Sequence, residues 1–147
     1  MSRSGYSDDC SGTELTLWRG AVDSAIRGKR GQKLLRELAA AMDAMPVKEL
    51  ISGELQADGA YCALGVVGAA RGLSMAGVNV EDRDAVAKLF NIAPALAAEV
   101  MFENDDDYGW RDQPTPAARW TRMRAWVESN IARSAPPQGD SALGDTN

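Results

Sequence analysis

The stretch from Asp58 to Gly72, DGAYCALGVVGAARG, constrains the fold of this chain more than any other. Asp58-Gly59 is a turn signal. Cys62 to Arg71 is then most simply a short helix with a Gly/Ala-rich face. Gly65, Gly68, Ala69 and Gly72 carry little or no side chain, so another backbone can approach closely, which predicts a tight helix crossing. The run is too short for a membrane dimerisation motif. It also places Cys62 where a reactive thiol can sit at a helix start.

Helical spacing recurs on either side. Ser11-Gly-Thr-Glu14 reads as a capping box, and Leu15, Trp18, Val22, Ala25 and Ile26 follow at helical spacing, predicting a helix over about 12–27. Gly28 and Gly31 bracket a basic break, Lys29-Arg30. A second helix carries Leu34, Leu35, Leu38, Met42 and Met45 on one face until Pro46 ends it. Val47 to Leu55 is ambiguous, because Leu50, Ile51 and Leu55 fit a helical turn that Gly53 weakens. Asp82 can cap a helix through Ala85, Val86, Leu89 and Phe90. Asn91 suits a left-handed C-cap, and Pro94 the first turn of a helix reaching about Glu103. Asn104 to Pro114 is polar and turn-rich. Thr115-Pro116 opens a last helix with Trp120, Met123, Val127 and Ile131 in line. No strand run stands out.

These signals predict an all-α single domain of five to six packed helices over residues 11–133. Residues 1–10 form a flexible N-terminus and 134–147 a disordered tail. The expected core is Leu15, Trp18, Val22, Leu34, Leu38, Met42, Leu64, Val67, Leu89, Phe90, Leu96, Val100, Trp120, Met123 and Val127.

Composition narrows the chemistry. Histidine is absent, which removes Ser-His-Asp and Cys-His mechanisms and histidine-bearing zinc sites. Two cysteines, Cys10 and Cys62, cannot fill a closed tetrahedral zinc site. No signal-like h-region and no membrane-length apolar run occurs, so a cytoplasmic protein with reduced thiols, apart from the membrane, is expected. A net charge of −5 disfavours nucleic acid as a partner. Neither a metal nor a cofactor is implied.

Several constellations each allow two readings. At a helix start the Cys62 thiol would be activated by the helix dipole; as a small apolar group it would simply fill the core. Glu103, Asp105, Asp106 and Asp107 crowd before Gly109, but Pro116 stands where an EF-hand needs its closing glutamate, leaving a solvated loop as the alternative. Val86 to Val100 has the spacing of a helix-turn-helix, yet Pro94-Ala-Leu-Ala-Ala-Glu-Val-Met lacks the basic side chains a base-reading helix needs. Two basic clusters stand out: Arg27, Lys29, Arg30, Lys33 and Arg36, and Arg119, Arg122 and Arg124 with Arg133. Converging, they would steer a charged partner; apart, they are solvated helix faces. Trp126 lies off the last helix's apolar stripe and Trp110 in the polar loop, positions that suit an interface or partial burial alike.

Asp58-Gly-Ala-Tyr-Cys-Ala-Leu-Gly, Phe102-Glu-Asn-Asp and Thr115-Pro-Ala-Ala-Arg-Trp-Thr-Arg-Met-Arg-Ala-Trp-Val together resemble a group of small phage and prophage proteins of unknown activity. Those proteins carry a Gly-x-x-Cys-Ala-Leu/Val-Gly element and a later Asn-Asp or His-Asp pair, and the likeness spans Leu34 to Ile131. The resemblance implies a mobile-element accessory protein, with Cys62, Asn104 and Asp105 as the carried-over positions. Asn104 where relatives have His weakens a catalytic reading. Equally, the pair can hydrogen-bond the start of the Cys62 helix and hold the fold together.

The expected function is therefore binding of a host or phage protein through a charged, Trp-containing surface that includes Arg119, Arg122, Arg124, Trp110, Trp126, Lys29 and Arg30. Inhibition of a host defence or regulatory factor is its sharpest form. The alternatives are a cysteine-dependent enzyme using Cys62, with Asn104 and Asp105 orienting, and a helix-turn-helix DNA-binding regulator.

Overall fold

The computed structural model describes residues 12–105 and 114–134, with the side chains of residues 12–15 and 132–134 left aside. Residues 1–10 and 135–147 of the expected terminal segments, Ser11 of the capping box, the Leu15 and Arg133 side chains, Cys10, Trp110 and the Asp106-Asp107 part of the acidic run lie outside that description, whereas Ser134, expected in the tail, closes the last helix. Six helices and one two-stranded hairpin make up the described chain, as an all-α domain.

Helices α1 (Gly12–Arg27) and α2 (Lys29–Ala44) are separated by a single residue, Gly28, the extended N-cap of α2. The expected basic break is thus shorter than Gly28 to Gly31: Lys29, Arg30 and Gly31 already belong to the first turn of α2. The corner closes because Gly31 has no Cβ, which would lie 1.9 Å from the Ala25 carbonyl oxygen. The buried Gln32 side chain donates to the carbonyl of Ile26 at 2.9 Å, satisfying one of the exposed acceptors that end α1.

After Met45 the chain runs without regular structure to Leu55, so the ambiguous segment is not helical. Asp58-Gly59 then forms the turn of a hairpin the sequence did not suggest, β1 (Gln56–Ala57) against β2 (Ala60–Tyr61). Both turn residues have positive φ, 52° and 81°, the requirement of a tight two-residue hairpin turn. Two residues per strand are too few to show a period-2 pattern, which is why no strand signal existed.

Helix α3 (Ala63–Arg71) follows, with Cys62 as N-cap and Gly72 as left-handed C-cap. Its small face serves a different end from the expected helix crossing. A Cβ on Gly65 would fall 1.8 Å from the carbonyl oxygen of Leu55, so the close neighbour is loop backbone. Gly68 faces the Met75 side chain, and Ala69 is exposed.

Helices α4 (Arg83–Phe90) and α5 (Pro94–Asp105) meet at 102° through the turn at Asn91. Asp82 accepts from Ala85 N at 3.1 Å as N-cap, and Asn91 is left-handed at φ 57°. Helix α6 (Pro116–Ser134) opens as expected, with Thr115 Oγ1 accepting from Ala118 N at 3.1 Å.

Helix α5 is the axis of the domain, packing against α1, α3, α4 and α6. Ala95 through Met101 are all buried, and Glu99 is the one charged residue in that run. Of the expected core, Val22, Leu34, Leu38, Met42, Leu64, Val67, Phe90, Leu96, Val100, Met123 and Val127 are buried, whereas Trp18, Leu89 and Trp120 are half-buried at its edge. Leu35, Leu50, Leu55, Cys62 and Met101 are among the further residues buried there. Among the described residues no single helix is long and apolar enough to cross a membrane.

Candidate functional site

The Cys62 region is a structural junction. Cys62 is 1% exposed, and its backbone N–H donates to the carbonyl of Leu55 at 3.2 Å. Its side chain does not cap α3. That task falls to Asn104, whose Oδ1 accepts from Ala63 N at 3.1 Å, while its Nδ2 donates to the Ile51 carbonyl at 2.9 Å and to Asp105 Oδ1 at 2.7 Å. Asp105 Oδ1 also accepts from Gly53 N at 3.2 Å. The Asn104-Asp105 pair at the end of α5 thus ties the irregular Leu50–Gly53 backbone and the start of α3 to the central helix. A thiol buried at such a junction lacks the access that activation requires.

Arg119 belongs to the same junction and is a correction to the expected surface. It is 5% exposed, and its Nε donates to the Asn104 carbonyl at 2.9 Å and its Nη1 to the Leu50 carbonyl at 3.3 Å. A guanidinium presents several fixed donors, so it can satisfy carbonyls that the end of α5 and the loop leave open. Sequence placed it with the exposed arginines because its neighbours Arg122 and Arg124 are basic too; the angular position on α6 separates them.

Lys29 and Arg30 of the first basic cluster lie far from Arg124 of the second. Lys29 and Arg30 are exposed at the start of α2, where Arg30 donates to Asn91 Oδ1 at 3.2 Å. Arg124 pairs with Asp43 near the other end of α2, through Nε at 2.9 Å and Nη2 at 3.0 Å, and with Glu128 at 3.0 Å. The helix rise of 1.5 Å per residue puts about 20 Å between those ends. The Arg124 hydrogen bond holds the Asp43 carboxyl below its ordinary range. Arg124 is therefore engaged in two ion pairs within the chain.

What remains of the expected surface is a groove on α6. Arg122 and Trp126 line it together with Ala118, Thr121, Ala125 and Ser129, and Glu103 of α5 lines it from below; its volume is about 710 Å³. Glu103 was read only as part of the acidic run, and that run is split here. Asp105 turns inward to the junction, whereas Glu103, one helical turn after Glu99, joins the groove. Glu99 is 3% exposed and is held by Arg19 of α1 through two contacts at 2.8 and 3.2 Å. Burial first, and the neighbouring Glu99 second, push the Glu103 carboxyl up to about 7, against the opposing pull of Arg122 and Arg19. No group of three or more acidic or cysteine side chains capable of holding a metal ion occurs among the described residues.

Burial weighs against the helix-turn-helix reading. The 102° crossing of α4 and α5 suits that motif. However, α5 would be the helix that enters the major groove, and Ala95 to Met101 are covered by four other helices. The pair has the motif's crossing, but only Pro94, Phe102 and Glu103 of α5 are not buried.

Fold and groove define a small all-α domain with a side-chain-lined groove on α6 and a buried cysteine. Comparison with protein-family models, with curated proteins and with solved structures finds no match for this chain.

Proposed function

We propose that this chain is a binding protein that recognises a protein partner through the α6 groove of Arg122, Trp126 and Glu103. The observation that carries this reading is the groove itself, where a tryptophan, an arginine and a half-buried carboxyl share one concave surface. Aromatic and arginine side chains of this kind anchor protein interfaces, because they combine large apolar area with directional polar groups. The burial of Cys62 argues against a thiol-dependent enzyme, and the burial of α5 against a DNA reader. The resemblance to phage and prophage proteins supports an accessory role in the cytoplasm of an infected or lysogenic host, with a host defence or regulatory factor as the target.

Affinity capture from host lysate tests this, comparing wild type with an Arg122→Glu/Trp126→Ala double variant. Arg119 is unsuitable as a surface control, since reversing a buried guanidinium would disturb the fold. One dominant partner, lost in the double variant, is the expected outcome. Equal recovery by both proteins, or no partner at all, would sink the reading.

A further inference from the structure

We propose that the α6 groove takes one basic side chain of the partner, an arginine whose guanidinium stacks on Trp126 and pairs with Glu103. This rests on the groove being the binding surface and adds the chemistry of what enters it.

Three observations lead there. Glu103 lines the groove, yet its carboxyl has no hydrogen bond or ion pair among the described residues. A carboxyl partly withdrawn from water without a partner is poorly solvated in its charged form, and an incoming cation corrects that. Among the described residues, the charged groups facing it are Glu99 on its own helix, Arg19 from α1 and Arg122 from α6. Arg19 is already held by both oxygens of Glu99, so it does not serve Glu103 directly. Next, Trp126 is half-buried on the same surface, and an aromatic face beside a carboxylate suits a planar guanidinium better than an ammonium. The remaining lining, Ala118, Thr121, Ala125 and Ser129, is small and leaves room for the aliphatic stem of the entering side chain. Finally, the chain carries a net charge of −5, which favours approach of a basic segment.

The pairing is linked to a proton. With its carboxyl at about 7, Glu103 is partly protonated near neutrality. Binding a cation favours the ionised form, and the proton goes to solvent. Affinity therefore rises with pH through the neutral range.

The test is an NMR titration of the full-length protein with a capped arginine-containing tripeptide, and with the same peptide carrying citrulline, which keeps the plane and loses the charge. The expected result is saturable shifts at Ala118, Thr121, Ala125 and Ser129 with the arginine peptide. Affinity should rise between about pH 6 and about pH 8. Glu103→Gln should weaken binding about tenfold and abolish the pH dependence. Equal binding of the citrulline peptide, unchanged affinity in Glu103→Gln, or no shifts for wild type at millimolar peptide would each overturn it. If the captured partner is lost in the Arg122→Glu/Trp126→Ala variant but retained at full strength by Glu103→Gln, the groove is still the binding surface and only the arginine assignment fails.

Discussion

Glu103 shows how one residue is altered by what packs around it. As an isolated carboxyl it would have its ordinary value of 4.5, and in the folded protein it is raised to about 7. The folded state therefore holds its proton more tightly than the unfolded chain, so stability falls as pH rises from about 4.5 to about 7. Below that window the carboxyl is protonated in both states and costs nothing. Above it the folded protein carries the full penalty of a poorly solvated charge. Replacing Glu103 with Gln removes the penalty. Urea denaturation should find the variant more stable than wild type at pH 8, with most of that difference gone at pH 4.5. An equal difference at both pH values would mean that titration of Glu103 does not govern it.

At the scale of elements, α3 is the helix that depends most on another. Its N-cap, Cys62, offers no side-chain bond, and Asn104 supplies the missing acceptor from the far end of α5. The same amide holds the Ile51 carbonyl. Asn104→Ala would leave a buried N–H and a buried carbonyl without these partners, and should cost about 2–4 kcal/mol in chemical denaturation. Asn104→Asp keeps the acceptor for Ala63 but loses the donor and sets a second carboxylate beside Asp105, so it should not restore stability. A loss below about 0.5 kcal/mol for the alanine variant would show that water replaces the amide without penalty. Helix α4 is the contrasting case, since Asp82 and Asn91 supply both its caps from its own sequence.

For the whole molecule, the decisive matter is which chemistry the core encloses. Cys62 is 1% exposed and belongs to the main buried cluster with Leu64, Leu55 and Val66. Its alkylation by iodoacetamide should be at least about 10³-fold slower than in the unfolded chain, and should accelerate with urea in step with unfolding. Rapid modification in native buffer would reopen the cysteine-enzyme reading.

Residue order alone determined the all-α class and most helix ends, because those signals are local. Gly28, Asp82, Asn91, Pro94 and Thr115-Pro116 act on their own backbone, and the spacing of Leu34, Leu38 and Met42 or of Met123 and Val127 marks a buried face wherever the helix goes. The hairpin at Asp58-Gly59 was visible only as a turn, since its strands are held by backbone pairing rather than by side-chain pattern. Tertiary structure decided the fate of the polar groups. Arg119, Arg122 and Arg124 are alike in sequence, but one is buried at the α5–loop junction, one lines the groove and one pairs with Asp43. Glu103 and Asp105 were one acidic run until the turn of α5 sent them to different surroundings. The charge and hydrogen bonding of a polar side chain depend on the atoms that other segments bring beside it, and that information is not local to the chain.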